Sequence, residues 1–212
     1  EDFTDQERQA MTNLLTLTGS SSTNRLLVQS GVGYGFYLPT IGTTRTITAA
    51  SVALQDVDFQ DITGAGAAAP FTGTRIGDCK GNTSITFAIA NKYWVGGTGM
   101  WSDATNHWAT STGGASGVNN FPLPQDTAIF DVNSFSANGQ AVTLDISYRL
   151  PGIDFSASTN RSNVFFGTGA TTPTFFGDLK LTTATNFRCL GTGLFTFSGR
   201  NTQTITSNGV GI

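Results

Sequence analysis

Charged residues are scarce in this chain of 212 residues, since Asp, Glu, Lys and Arg together make up only 12% of it. That is about half the usual globular share, and long surface helices, which need many charged side chains, are therefore not expected. The abundant residues are Gly, with 26 copies, Phe, with 16, and the small polar residues Thr, Ser and Asn. Short runs of Phe, Val, Ile and Thr bounded by Gly, Asn or Ser are typical of short strands and tight turns.

Several kinds of functional site lack the residues that they would need. The chain has one histidine, His107, and two well-separated cysteines, Cys79 and Cys189. These three residues give no zinc-site spacing and no disulfide framework, and we interpret the cysteines as small buried hydrophobes. A Ser-His-Asp triad would need His107, and no Gly-x-Ser-x-Gly elbow supplies its nucleophile. We therefore expect no cofactor and no metal.

Two classes of partner also lack support in the sequence. The net charge of −3 gives no basic field that would attract phosphate groups, so no nucleic-acid partner is expected. No apolar run approaches the roughly 18 residues needed to span a bilayer, so no membrane insertion is expected either.

Three aspartates lie close together, at Asp56, Asp58 and Asp61, and their spacing superficially resembles a calcium loop. The glycine turn and the closing Glu of such loops are missing. Because Asp is mostly exposed in folded proteins, we interpret these residues as solvent-facing carboxylates.

The N-terminal residues predict one helix. Thr4 and Glu7 form a capping box, in which the Thr4 hydroxyl accepts from the Glu7 amide and the Glu7 carboxylate reaches back. The apolar face that follows at helical spacing consists of Ala10, Met11, Leu14 and Leu15. We expect this helix to end near Gly19 and to dock on the same or a neighbouring chain, because about four turns are marginal alone.

No second stretch with helical periodicity follows Leu26, and the remaining patterns predict strands. Apolar and polar residues alternate at residues 44–48, 52–59 and 84–89, and a bulge or corner is needed near Gln55 and Asp56 to keep the apolar side chains on one face. Beyond a Gly-rich stretch at residues 96–124, strands return about every 8 to 12 residues. These strands are predicted at residues 142–144, 153–155, 164–166, 175–176, 179–181, 194–197 and 204–206.

The predicted fold class is all-β, with a right-handed parallel β-helix or solenoid after the short N-terminal helix, and a β-sandwich as the alternative. Strand spacing fits both architectures. A weak internal repeat favours the solenoid, since residues 57–64 and 153–160 both begin with an apolar residue, Asp and Phe. Abundant Thr, Ser and Asn also suit stacked coils, in which like residues form ladders.

Four segments are predicted along the chain. Residues 1–24 would be a helix and linker for docking or trimerisation, and residues 25–92 a first β-rich segment. Residues 93–127 would be a Trp- and Gly-rich loop insertion, and residues 128–212 a second β-rich segment. Because the first residue is Glu and strand signals persist at the end, we expect the chain to be part of a longer polypeptide.

The most distinctive motif contains all three tryptophans. Tyr93-Trp94-Val95-Gly96-Gly97-Thr98-Gly99-Met100-Trp101-Ser102-Asp103 precedes Asn106-His107-Trp108, and a segment from Pro122 to Asp131 follows. The pattern resembles Trp-Val-Gly-Gly-x-Gly-x-Trp … Trp … Pro-x-x-x-Asp-x-x-x-Phe-Asp sequences of repetitive β-helical surface proteins and of structural proteins of tailed bacteriophages. Residues 61–78, residues 197–209 and the opening helix are similar to the same group.

The resemblance implies a tail-fibre or tailspike segment that supports host attachment, located in the virion tail or a surface appendage. It implies a homotrimer, with other virion tail or baseplate proteins as partners and a host surface glycan as a further candidate. Low charge and surplus Phe also favour a trimer, because apolar faces of a narrow solenoid need a partner. A capsid decoration or head-fibre protein and a bacterial secreted adhesin are the non-enzymatic alternatives.

The tryptophans have two interpretations. An aromatic face in a Gly-rich loop can stack on a sugar, or it can close the end of a β-structure as an apolar anchor. Burial statistics for Trp favour the anchor. If the motif is a carbohydrate-binding site, its candidate residues are Trp101 and Trp108 with their polar neighbours Asp103 and His107.

We expect no enzymatic activity, and the alternative is a glycan depolymerase. Such spikes need two carboxylates held roughly 5 to 10 Å apart, and residues one coil apart in a solenoid are about 4.8 Å apart. No motif pairs the carboxylates of this chain, so no catalytic residues are assigned. The candidate carboxylates are Asp58, Asp61, Asp103, Asp126, Asp131 and Asp154.

Overall fold

The computed structural model describes residues 14–32, 38–39, 42–145, 149–160, 162–169, 172–191 and 195–210. These residues are almost entirely strands and turns, so the predicted all-β class is confirmed. They divide into two compact units, unit 1 within Glu1–Ala88 and unit 2 within Ile89–Ile212. The four segments expected from the sequence, with boundaries after residues 24, 92 and 127, stay predictions.

The described part of unit 1 has nine strands. They are β1 (Leu14–Thr18), β2 (Leu26–Gln29), β3 (Gly31–Val32), β4 (Leu38–Pro39), β5 (Arg45–Thr48), β6 (Ser51–Gln55), β7 (Val57–Gln60), β8 (Ile62–Ala65) and β9 (Gly77–Asp78). The predicted strands at residues 44–48 and 52–59 are thus confirmed as β5 and as β6 with β7.

Three parallel ladders organise unit 1. β1 pairs with β6, β2 pairs with β7 and β7 with β9, and β5 pairs with β8. Single parallel bridges from Gln55 to Thr74 and from Thr63 to Thr83 extend the first and third ladders. The chain therefore contributes to the same three ladders, in the same order, on three successive passes. Only β3 and β4 pair in antiparallel fashion among these strands, within the first pass.

Corners between the strands are made by non-glycine residues with positive φ. Asp56 (φ 54°) separates β6 from β7, and Asp61 (φ 56°) separates β7 from β8. This confirms the corner predicted near Gln55 and Asp56. One pass later, 19 residues further along, Arg75 (φ 50°) and Lys80 (φ 74°) repeat the two conformations. Such left-handed residues turn the chain sharply without interrupting the neighbouring ladder.

Apolar side chains from all three passes fill the interior of unit 1. Its core consists of Ala49, Leu54, Val57, Phe59, Ile62, Phe71 and Ile76. Cys79 is fully buried, which confirms its prediction, whereas the side chain of Cys189 lies outside the described part of the structure. Asn82 ties two passes together, since its amide donates to Phe59 O (2.8 Å) and its carbonyl accepts from Ile62 N (3.0 Å).

The described part of unit 2 has thirteen strands, one short helix α1 (Ala104–His107) and a 3-10 turn (Val118–Asn120). The strands are β10 (Asn91–Trp94), β11 (Gly99–Met100), β12 (Trp108–Ala109), β13 (Thr127–Ile129), β14 (Ala141–Thr143), β15 (Arg149–Leu150), β16 (Gly152–Asp154), β17 (Ser162–Gly169), β18 (Thr174–Phe175), β19 (Leu179–Lys180), β20 (Thr185–Gly191), β21 (Thr196–Phe197) and β22 (Ile205–Thr206).

Apart from β12, the described strands of unit 2 also form three parallel ladders. The first runs β10–β13–β16–β19–β22, the second β11–β14–β17–β20 and the third β15–β18–β21. The pairing strands are close in sequence: Thr127 lies opposite Gly152, and Ile153 opposite Leu179. After β10, β11 and β15, which begin the three ladders, each later strand of a ladder thus rests on the equivalent strand of the pass before.

Stacked aromatic rings connect the passes of unit 2. Phe130 and Phe155 have ring centroids 4.1 Å apart and nearly parallel planes in the interior, and the buried Phe175 stacks at 4.9 Å on Phe197, which is 38% exposed. Buried aliphatic side chains such as Val142, Leu150 and Leu179 surround the rings. The abundance of Phe noted in the sequence is therefore explained by a core built of like residues on successive passes.

Three sequence predictions are corrected. Residues 14–18, assigned to the N-terminal helix, form β1, because Leu15 and Leu17 face inward and the strand pairs over its full length with β6. Its capping box lies outside the described residues. Residues 84–89 form no strand, since only Ile85 makes an isolated bridge. Helical turns do occur after Leu26, in α1 and at the 3-10 turn.

None of the described helices is long and apolar enough to cross a membrane.

Candidate functional site

The tryptophan-rich segment forms one edge of the first ladder in unit 2. β12 pairs with β10 in antiparallel fashion, with Trp94 opposite Trp108, and Ala109 bridges on to Ser116. β12 is the outermost strand of an otherwise parallel sheet. We call residues 91–117 the tryptophan cap, because they cover a strand edge that would otherwise present unpaired backbone groups.

The aromatic rings of the tryptophan cap pack on one another. Trp108 meets Trp94 and Trp101 edge to face, at centroid distances of 5.1 and 4.7 Å. Trp94 also stacks on the imidazole of His107 at 4.4 Å with an interplanar angle of 4°. The ring of Phe130 packs against all three tryptophans, with centroid distances of 5.8 to 6.3 Å. The cap is thereby continuous with the aromatic core of the passes that follow.

Backbone oxygens of the cap accept hydrogen bonds from these side chains. Trp94 Nε1 donates to Gly97 O (2.7 Å), and Trp108 Nε1 donates to Trp101 O (2.9 Å). His107 Nδ1 lies 2.8 Å from Val95 O. Gly99 is required beside this histidine, because a Cβ there would lie 2.0 Å from His107 Nε2. The Gly-rich sequence is thus explained by close packing of backbone on rings.

The carbohydrate-binding interpretation of this motif stays a prediction, and the burial of its rings argues against it. The side chains of Trp101 and Trp108 are 1% and 0% exposed, so neither ring has a face that a sugar could reach. His107 is buried against Trp94, and Asp103 caps α1 by accepting from Asn106. Burial supports the anchor interpretation, in which the tryptophans close a β-structure.

The carboxylates considered for hydrolysis have structural partners. Asp126 accepts from the amides of Ala90 and Leu123, at 2.8 and 2.9 Å, and Asp131 accepts from Asn133 N at 2.9 Å. Asp154 accepts from Ser156 N at 2.8 Å and pairs with Lys180 Nζ at 3.2 Å. The pKa of Asp154 is lowered: burial works to raise it, but hydrogen bonds from Ser156 and Lys180 and the charge of Lys180 outweigh burial.

Unit 1 buries charged groups at one corner of its ladders. The register places Arg25, Asp56 and Arg75 at equivalent positions of three passes. Arg75 binds both carboxylate oxygens of Asp56 at 2.7 Å, and Arg25 contacts Asp56 at 3.3 Å and Asp58 at 2.7 Å. We call these four residues, Arg25, Asp56, Asp58 and Arg75, the charge ladder.

The charge ladder corrects the interpretation of the neighbouring aspartates. Asp56 and Asp58 are each 1% exposed and Asp61 is 2% exposed, rather than facing solvent. Asp61 accepts from Gly42 N at 2.9 Å. Burial works to raise the pKa of Asp56, but the hydrogen bond and charge of Arg75, the charge of Arg25 and a hydrogen bond from Gln55 together hold it below its usual value.

An open groove of about 370 Å³ lies on unit 1 beside the charge ladder. Its floor is formed by Val52 to Gln55 of β6, and its walls by Thr18 at the end of β1 and by residues 72–74. The sequence did not indicate this site, because its lining residues come from three separate segments. Two of these segments, residues 52–55 and 72–74, precede equivalent corners at Asp56 and Arg75. The 19-residue offset between those corners is the sequence signal that could have placed the two segments side by side.

Among the described residues, no group of three or more His, Cys, Asp or Glu side chains is arranged to hold a metal ion. Comparison of the chain with family models, with curated proteins and with solved structures finds no match.

Proposed function

We propose that each unit is a parallel β-helix and that the chain is a structural segment of a virion tail fibre or tailspike supporting host attachment. The observation that carries the proposal is the order of the ladders, in which successive passes add to the same three ladders. Passes of this kind make a stiff element, because each rests on its neighbour through continuous backbone hydrogen bonds. The β-helices would be right-handed, since about 98% of parallel crossover connections are.

The interior of both units supports the role of a stiff structural element. Side chains at equivalent positions of successive passes contact one another, as with the stacked Phe130 and Phe155 rings in unit 2 and the alternating charges of Arg25, Asp56 and Arg75 in unit 1. Interactions between passes resist sliding of one coil on the next. The placement in a virion rests on the resemblance of the Trp-Val-Gly-Gly-x-Gly-x-Trp motif to phage structural proteins.

A homotrimer is part of the same proposal. Several apolar side chains of the described residues remain well exposed, namely Leu14, Ile89, Met100, Val118, Val132 and Ile205. Exposed apolar groups favour burial against other subunits. Other tail or baseplate proteins and a host surface glycan would be the further partners.

Light scattering on the purified chain tests the assembly. A mass near three times the chain mass of 22.2 kDa is expected for a trimeric fibre segment, and the trimer should then compete with intact phage for adsorption to host cells. A monomer at all concentrations would contradict the trimer, and a trimer that binds no cell surface component and no tail protein would contradict the attachment role.

A further inference from the structure

The groove on unit 1 presents polar side chains in register. Thr18 of β1 lies opposite Gln55 of β6, and Gln55 lies opposite Thr74 on the next pass. All three side chains point outward and are exposed. Because neighbouring strands are about 4.8 Å apart, the groove holds a row of two hydroxyl groups and one amide at regular spacing. Its volume of about 370 Å³ lies within the range of small-molecule sites.

The chemistry of the row matches hydroxylated ligands. Hydroxyl and amide groups both donate and accept hydrogen bonds, as sugar hydroxyls do. Among the described side chains that line the groove, none is charged. The adjacent Asp56 is buried and bound by Arg75 through both carboxylate oxygens. The groove therefore has no charged group that would form an ion pair with an acidic or a basic polymer.

The groove is held rigidly. Thr74 N donates to Leu54 O (2.8 Å), and Asp56 N donates to Thr74 O (3.1 Å), which fixes the wall against the floor. Gly19 N donates to Gln55 O (2.9 Å) from the opposite side. Groups fixed in advance lose little entropy when a ligand binds. β1 covers one edge of β6 along its whole length, and Gln55 bridges to Thr74 at the other edge.

We propose that this groove binds an uncharged saccharide chain. Its hydrogen-bonding groups are the Thr18 and Thr74 hydroxyls together with the carbonyl oxygen and second N–H of the Gln55 amide, whose first N–H is donated to Asp56. Ala53, which lies on the same face of β6 as Gln55, supplies an apolar contact for the C–H groups of the sugar. The inference goes beyond the fibre proposal and is independent of it, because the groove consists entirely of unit 1 residues and needs no trimer.

Native affinity electrophoresis tests the proposal. The purified chain is run in gels containing dextran, soluble starch, galactomannan or mixed-linkage β-glucan, with alginate and dextran sulfate as charged counterparts. The variant Thr18→Val/Thr74→Val removes two hydroxyls and keeps their shape. The matched control is Thr110→Val/Thr202→Val, which makes the same change at two exposed threonines of unit 2.

At least one neutral polysaccharide should retard the wild type and the control equally. The groove variant should bind it about tenfold more weakly, as expected for the loss of about 1.4 kcal/mol of hydrogen bonding. Gln55→Met, which keeps side-chain length, should weaken retardation independently, with thermal melts verifying that each variant is folded. The proposal is overturned if no neutral polymer retards the chain, if the charged polymers retard it more strongly, or if the groove variants bind like the control.

Discussion

Replacing Asp56 by Asn removes one charge from the centre of the charge ladder and keeps the side-chain shape. Arg25, which is 4% exposed, retains Asp58 at 2.7 Å, whereas Arg75 exchanges its two contacts with a charged carboxylate for one contact with a neutral amide oxygen. Breaking a buried ion pair typically costs 3–5 kcal/mol. Because Arg75 is 22% exposed and can regain some hydration, we expect Asp56→Asn to lower the free energy of unfolding of unit 1 by about 3 kcal/mol.

Urea-dependent hydrogen exchange, read by mass spectrometry, measures this change for each unit separately. Peptides within residues 51–65 report on unit 1, and peptides within residues 152–180 report on unit 2. Fluorescence of the three tryptophans follows unit 2, since all of them lie within it. The substitution should increase exchange in the unit 1 peptides.

The same variant should change the pH dependence of stability. The pKa of Asp56 is lowered in the folded state, so the unfolded chain takes up a proton first as the pH falls. The stabilisation from Asp56 is therefore fully present above about pH 5 and is lost as the pH drops through the lowered folded pKa. Asp56→Asn should remove this part of the acid sensitivity of unit 1.

A matched control separates the effect of losing a buried charge from the effect of losing any carboxylate charge. Asp154→Asn removes a carboxylate from an exposed pair with Lys180, in which the side chains are 22% and 49% exposed. We expect this change to cost less than about 1 kcal/mol. The reasoning is refuted if Asp56→Asn costs no more than Asp154→Asn, or if it leaves the acid sensitivity of unit 1 unchanged.

Three further substitutions test the packing of the two units. Trp108→Ala should destabilise unit 2 by about 3–5 kcal/mol in a thermal or urea melt, and an unchanged melt would contradict the anchor role of this ring. Gly99→Ala should cost about 1–3 kcal/mol, because the new Cβ meets His107, which is held against Trp94; a melting temperature equal to that of the wild type would show that the histidine can move. Asn82→Ala should destabilise unit 1 by about 1–3 kcal/mol, since Ile62 N loses its acceptor and Phe59 O keeps only the amide of Cys79; slow exchange at Ile62 in the variant would argue against it.

Strand positions were predictable because side chains alternate with period two wherever one face is buried. Residues 45–48 and 51–60 follow this rule, including the corner at Asp56. The same rule explains the incorrect helix, because the Leu-Leu-Thr-Leu-Thr segment of β1 fits an apolar helical face and an alternating strand equally well. The segment at residues 84–89 alternates too, yet only Ile85 finds a partner strand.

Pairing between passes was not predictable in the same way. Equivalent positions carry unlike residues, so Arg25, Asp56 and Arg75 give no recognisable repeat, although they form one cluster. The orientation of the candidate binding residues was not predictable for a related reason. The Trp101 and Trp108 rings have polar neighbours in sequence, but both rings face the core. Of those neighbours, Asp103 caps α1 and His107 is buried against Trp94. Sequence alternation alone does not reveal these orientations inside a loop.

The antiparallel pairing of β12 with β10 gives unit 2 a direction of growth. A parallel strand added at that edge would have to displace β12, whereas the later passes each extend the opposite side of the sheet. Thr127 meets Gly152 only 25 residues later, so each pass can settle on the one before it soon after leaving the ribosome. Short loops of this kind close at little entropic cost. During synthesis from the N-terminus, the tryptophan cap would then fold first and the later passes would pair onto it. The cap would also prevent incomplete chains from pairing with one another at that strand edge.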